Sequence, residues 1–201
     1  MNLAKLFETQ KLLDDRIVDE HNLRNQDLLP QKILALQVEL GELANEWRGF
    51  KFWSRDQEPR ATKDCWNCSG EGIGYFAGMY WTGEKVMCVK SEGTGIDGSK
   101  NPLLEEYVDC LHFILSIGKD LELNIEGYTI LPFEHKTILK QFLQTYYVIS
   151  DLEHDPSQYE LILVLQHFIG LGEMLGFTPE QIEQSYYAKN AINHTRQDNS
   201  Y

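Results

Sequence analysis

Ala35-Leu-Gln-Val-Glu-Leu-Gly-Glu-Leu-Ala-Asn-Glu-Trp47 decides the fold. With Ile33 just before it, Leu36, Leu40, Leu43 and Trp47 recur at intervals of three and four, the period of one helix face. Pro30 suits the first turn, so a helix is expected over 30–48. Leu34 and Val38 point almost the opposite way, and a helix apolar on two sides is expected to be central. The remaining sector carries Glu39, Glu42 and, one turn on, Glu46. Like charges so placed repel and weaken a helix unless something binds them.

The same period extends outward. Leu3, Leu6, Phe7, Gln10, Leu13 and Ile17 predict a helix over about 2–23. After Pro102, the stripe Leu104, Tyr107, Val108, Leu111 and Leu115 predicts another, ending near Gly118. A loop with Gly127 and Pro132 follows, then a fourth helix through Ile138, Phe142, Tyr146 and Ile149. Asp155-Pro156 opens a fifth that runs to Met174 and is ended by Gly176. Thr178-Pro-Glu-Gln181 is a capping-box start for a last helix to about Arg196. The fold class is therefore all-α, an antiparallel helix bundle of about six helices.

Residues 55–100 break the pattern. These 46 residues hold 8 of the 15 glycines together with Trp66, Tyr75, Phe76, Tyr80 and Trp81, and read as a non-helical insert of turns and short hairpins. One all-α domain, 1–54 with 101–201, is expected to carry the insert 55–100.

Composition narrows the function. A formal charge of −13 excludes a basic nucleic-acid-binding surface. The longest apolar runs, such as Leu161-Ile-Leu-Val-Leu165, are far below the roughly 20 residues of a membrane span. Residues 1–10 lack a signal-peptide pattern, and the four cysteines do not form a disulfide framework. The cytoplasm is the expected compartment, with neither membrane nor nucleic acid as a partner.

Glu39 and Glu42 have a counterpart in Glu106 and Asp109, two acidic pairs at i, i+3 spacing, each on one helix face. If their helices lie antiparallel the four carboxylates converge, and four in one cleft cannot all stay ionised without a cation. A hard ion such as Mg²⁺, with its oxygen ligands, fits them. Near the C-terminus Lys189, Asn193 and Arg196 share a helix face suited to gripping phosphate. His112, Cys110, Tyr146, Tyr147 and Tyr186 read as packing groups.

Four stretches together resemble a known family: Ala35 to Trp47, Phe50-Lys-Phe-Trp-Ser54, Glu105-Glu-Tyr-Val-Asp-Cys-Leu-His-Phe113 and Tyr187-Ala-Lys-Asn-Ala-Ile-Asn-His-Thr-Arg-Gln197. They look like the dimeric, all-α dUTPases, which belong with the MazG-type nucleotide pyrophosphohydrolases. The resemblance implies hydrolysis of dUTP, and of dUDP, to dUMP with release of pyrophosphate or phosphate. It implies Mg²⁺ on Glu39, Glu42, Glu106 and Asp109, with Glu39 and Glu42 catalytic and Glu42 the one that orients or deprotonates water. Lys189, Asn193 and Arg196 would grip the phosphates. Gln10, Phe52, Trp53 and Asn190 would contact base or sugar, and a homodimer would share site residues across its interface. A relative preferring dCTP would keep the same metal ligands. A non-catalytic interaction protein would have no need of four repelling carboxylates.

The insert lies outside that resemblance. Cys65-Trp-Asn-Cys68-Ser-Gly-Glu-Gly72 fits C-x-x-C-x-G-x-G, and Cys88-Val-Lys-Ser91-Glu-Gly-Thr-Gly95 fits the same frame with Ser91 in place of the second Cys. The halves resemble a DnaJ-type zinc hairpin, here degenerate. Cys65, Cys68 and Cys88 are candidate Zn²⁺ ligands, and the competing reading is a decayed knuckle without metal.

Overall fold

Two prolines open the helices that carry the acidic pairs. In the computed structural model, which describes residues 1–75, 85–98, 100–125 and 129–199, α1 spans Leu3–Glu20, α2 Leu29–Trp47 and α3 Pro102–Asp120. Pro30 and Pro102 sit in the first turns of α2 and α3, where a missing N–H breaks no helical bond. Three more helices complete the bundle among the described residues: α4 (Ile138–His154), α5 (Gln158–Met174) and α6 (Pro179–Asp198). Asn101, Thr137, Ser157 and Thr178 cap α3 to α6 by accepting a backbone N–H from the first turn, and Thr178 with Gln181 forms the expected capping box.

Helix direction follows from the polar ties. Lys32, at the start of α2, donates to Asp120 at the end of α3 over 2.6 Å. At the other end Arg60 bridges the helices, its N–H donating to the Glu46 carbonyl and its carbonyl accepting from the Leu103 N–H. So α2 and α3 run antiparallel. Between α1 and α3 the partners rise together, Gln10 with His112, Asp14 with Ser116 and Asp15 with Lys119, so these two helices run parallel.

Leu36, Leu40 and Leu43 of α2 and Leu111, Ile114 and Leu115 of α3 are buried at the centre of the core. Tyr107 stacks on Phe168 of α5 with ring centroids 4.3 Å apart. A Cβ at Gly172 would meet the Tyr107 ring at 2.7 Å, so glycine there lets α5 close onto α3.

One expectation changes. Helix α2 is buried on a single side: Leu34 and Val38 are 61% and 52% exposed. Periodicity identifies an apolar face without saying what covers it. On the adjoining α4, Leu139, Leu143 and Tyr147 form a second exposed stripe. Tyr147 is therefore mostly exposed, not a core group of the chain. No single described helix is long and apolar enough to cross a membrane.

In the insert, β1 (Lys63–Asp64) pairs antiparallel with β4 (Ile96–Asp97), and β2 (Ile73–Tyr75) with β3 (Lys85–Met87). Only the β2–β3 ladder joins strands that follow each other in the chain, its connection lying outside the described residues, whereas β1–β4 is an outer stem rather than a hairpin. Trp66 is exposed. Phe76, Tyr80, Trp81 and Gly127 lie outside the described residues.

Candidate active site

The antiparallel α2/α3 pair brings the acidic motifs face to face. Glu39 and Glu42 come from α2 and Glu106 from α3, and each offers a carboxylate oxygen within 4.8 Å of the others. Burial, then the charges of Asp109, Glu42 and Glu39, push Glu106 up to about 7, and Glu39 shifts the same way, chiefly by burial. Asp109 lies outside that trio because its carboxylate accepts from Lys189 of α6. Burial raises it too, and Lys189 opposes the rise. Three crowded acids, with Glu39 and Glu106 both shifted upward, form a site that a divalent cation would relieve.

Beside the acids opens a cavity of about 270 Å³ between α1, α3 and α6. Glu39 and Asp109 line one side, Lys189, Asn193 and Arg196 another, and Gln10 and His112 the inner wall. The sequence-predicted phosphate residues therefore meet two of the acids across one cavity. Arg196 also donates to Asn193 at 3.3 Å.

Gln10 organises the inner wall. Its Nε2 donates to Asp14 over 2.7 Å, and Asp14 also accepts from the Ser116 hydroxyl over 2.6 Å. This leaves the Gln10 Oε1 as acceptor for the Tyr186 hydroxyl at 2.8 Å and for His112 Nδ1 at 2.7 Å. His112 must then carry its proton on Nδ1. Burial and the Lys189 charge push its pKa down to about 3, so the ring is neutral at physiological pH. Nε2 remains as a buried acceptor without a partner among the described residues. The ring stacks on Tyr186, with centroids 4.3 Å apart.

Other predicted residues fall elsewhere. Asn190 is buried beneath the phosphate face, its Nδ2 unpartnered among the described residues. Phe52 and Trp53 are 87% and 65% exposed on the turn after α2 and do not line the cavity. Cys65, Cys68 and Cys88 are brought together and buried. Sequence reasoning missed Asp14, Phe113 and Ser116, all of which line the cavity. A signal existed for the first: Gln10 interrupts an apolar stripe, and Asp14 lies four residues on, where a polar partner belongs.

Comparison with known proteins adds the identity of the bundle. A family model described as dUTPase matches residues 2–65 and 93–201. No curated protein matches the chain. Because the match runs through all six described helices and breaks only within the insert, the chain belongs to the all-α dUTPase family and is an enzyme that hydrolyses dUTP.

Proposed function

We infer that the enzyme converts dUTP, and also dUDP, to dUMP with release of pyrophosphate or phosphate, in a Mg²⁺-dependent reaction within a single catalytic domain formed by 1–54 and 101–201. The observation that carries this reading is the convergence of the Glu39, Glu42 and Glu106 carboxylates within 4.8 Å. This all-oxygen, mutually repelling donor set fits Mg²⁺, with Asp109 as the fourth acid beside it. Bound there, the ion would neutralise phosphate oxygens and the charge that develops on them.

The residues divide the remaining work. Glu42 is the exposed member of the trio while Glu39 and Glu106 are half-buried, so Glu42 is best placed to meet and orient water. Arg196 offers phosphate a planar, bidentate donor pair, Lys189 a point charge and Asn193 an amide. Lys189 is tied to Asp109, which keeps its ammonium at the junction of acids and cavity.

His112 supplies a basis for reading the base. Its bare Nε2 accepts a hydrogen bond, which uracil N3–H donates, whereas cytosine N3 presents a lone pair instead. Gln10 fixes that tautomer, and Asn190 offers a further donor nearby. A buried polar group left unpaired discriminates strongly between ligands, so dUTP should be favoured over dCTP by at least about a hundredfold in kcat/KM. Product analysis with Mg²⁺ and a panel of dUTP, dUDP, dCTP, dTTP and UTP tests the assignment. Faster turnover of dCTP would retain the acidic site and overturn the reading of the base pocket.

The exposed apolar stripes of α2 and α4 support a homodimer. Leu34 and Val38 lie on one helix and Leu139, Leu143 and Tyr147 on its neighbour. A second copy would cover them and could bring Phe52 and Trp53 to its partner's base pocket. Sedimentation equilibrium should find a dimer in the wild type and a monomer in the Val38→Glu/Leu143→Glu variant. A monomeric wild type removes the proposal. The cytoplasm is the proposed compartment, consistent with four cysteines that are all free thiols.

A further inference from the structure

The described residues of the insert gather around four buried side chains, three thiols and a hydroxyl. Among the described residues of 55–100, only Cys65, Cys68, Cys88 and Ser91 bury side chains, alongside Gly72 and Gly95. Trp66, Ile73, Val86, Met87, Val89 and Ile96 are all exposed. Two ladders of two and three residues are marginal by themselves, so a metal at the buried centre would add stability to these described residues.

The two C-x-x-C/S-x-G-x-G stretches are arranged about a local pseudo-twofold. The Cys65 N–H donates to the Gly95 carbonyl at 2.7 Å, and the Cys88 N–H to the Gly72 carbonyl at 2.9 Å. Within each half the next turn repeats: Glu71 N–H to the Cys68 carbonyl, and Thr94 N–H to the Ser91 carbonyl. Gly72 and Gly95 have φ of +70° and +77°, and a Cβ on either would strike a backbone carbonyl of the other half. Glycine is required at both places for the halves to close. The pseudo-symmetry sets Ser91 in the position equivalent to Cys68.

Two distances at the centre match the edges of a tetrahedral zinc shell. The Cys65 and Cys88 sulfurs are 3.9 Å apart, and the Cys68 sulfur lies 3.6 Å from the Ser91 hydroxyl. With Zn–S of about 2.3 Å and Zn–O of about 2.0 Å, tetrahedral edges are about 3.8 Å for S–S and about 3.5 Å for S–O. The three sulfurs lie mutually within 4.8 Å, and Asn67 Nδ2 donates to the Cys88 sulfur at 3.3 Å, the kind of outer contact that orients a thiolate ligand.

We propose that the insert is a Zn²⁺ knuckle with an S₃O donor set, in which Cys65, Cys68 and Cys88 bind as thiolates and Ser91 contributes its hydroxyl oxygen. Binding releases three thiol protons to solvent, while Ser91 keeps its own, leaving a site of net charge −1. A neutral hydroxyl is a weaker ligand than a thiolate, so this corner is the labile one. The proposal is independent of the nucleotide site.

The test uses the full chain purified without chelator. Elemental analysis should find one zinc per chain. Co²⁺ titration of the stripped protein should give a thiolate-to-cobalt charge-transfer band, which the carboxylate site cannot produce. Cys88→Ser should weaken Zn²⁺ binding by at least about tenfold, and Ser91→Cys should tighten it by a similar factor and intensify the cobalt band. Chelation should speed proteolysis within 63–75 and 85–97 while helical circular dichroism stays constant, which separates loss of the knuckle from unfolding of the bundle. Absence of both zinc and the cobalt band overturns the proposal. Unchanged affinity in Ser91→Cys removes Ser91 from the donor set.

Discussion

Glu42→Gln should abolish dUTP turnover, lowering kcat by at least about a thousandfold, with the fold intact. The amide matches the carboxylate in shape but carries no charge for a cation and no basicity for water. Losing a general base alone costs typically about 10²–10⁴-fold, and a weakened metal site adds to that. Stability should not suffer: Glu42 is exposed, and its removal takes one of three mutually repelling charges from the cluster. Steady-state kinetics at saturating Mg²⁺, paired with a thermal melt, separate the two effects. Full turnover in this variant would falsify the assigned role.

The second large effect is metal removal, and it carries a pH signature. EDTA should abolish turnover, and Mg²⁺ should restore it. In the metal-free fold Glu106 titrates at about 7, above the 4.5 of an unperturbed glutamate, because ionising it within the half-buried acidic cluster is unfavourable. Metal-free stability therefore lacks this penalty below about pH 4.5, loses ground as pH rises, and bears it fully above about 7. On the proposed reading Mg²⁺ would bind the ionised form. Below about pH 7 its apparent affinity should fall about tenfold per pH unit for the one proton it must displace. Melting temperature measured with and without Mg²⁺ at about pH 6 and about pH 8 reads this directly. An equal Mg²⁺-induced rise at both pH values would mean that Glu106 is not a ligand.

The acidic pairs were legible in the sequence because they lie on helices whose starts and faces are written locally. Pro30 and Pro102 mark beginnings, and the 3.6-residue period places Glu39 with Glu42 and Glu106 with Asp109. Their convergence needed only the antiparallel relation of neighbouring helices. The inner wall was harder to read. Gln10, His112 and Tyr186 meet across separations of 102 and 176 residues, and each alone looks like a polar interruption of an apolar stripe. His112 was read as a packing group; it does pack on Tyr186, yet it also keeps a bare nitrogen on a wall of the cavity. Leu34 and Val38 show the opposite gap: the apolar face was visible, but the described residues of the chain leave both side chains exposed. In the insert, spacing exposed the two half-knuckles, whereas the closure of Ser91 against Cys68 depends on cross-strand pairing between distant turns.

The β1–β4 stem has a bearing on how this enzyme could have acquired its insert. Lys63 and Asp97 face each other across an antiparallel pair, so the strands that lead into and out of the knuckle are neighbours about 5 Å apart. Below them Arg60 already links the end of α2 to the start of α3. The connection between the two acid-bearing helices is therefore closed before the knuckle begins, and the family match stops at 65 and resumes at 93, both next to this stem. A segment hung on such a clasp can lengthen, shorten or vanish without altering the loop-closure entropy or the register that α2 and α3 share. The stem is thus a natural splice point, where evolution or an engineer can exchange one appendage for another while the acids that face each other stay in place.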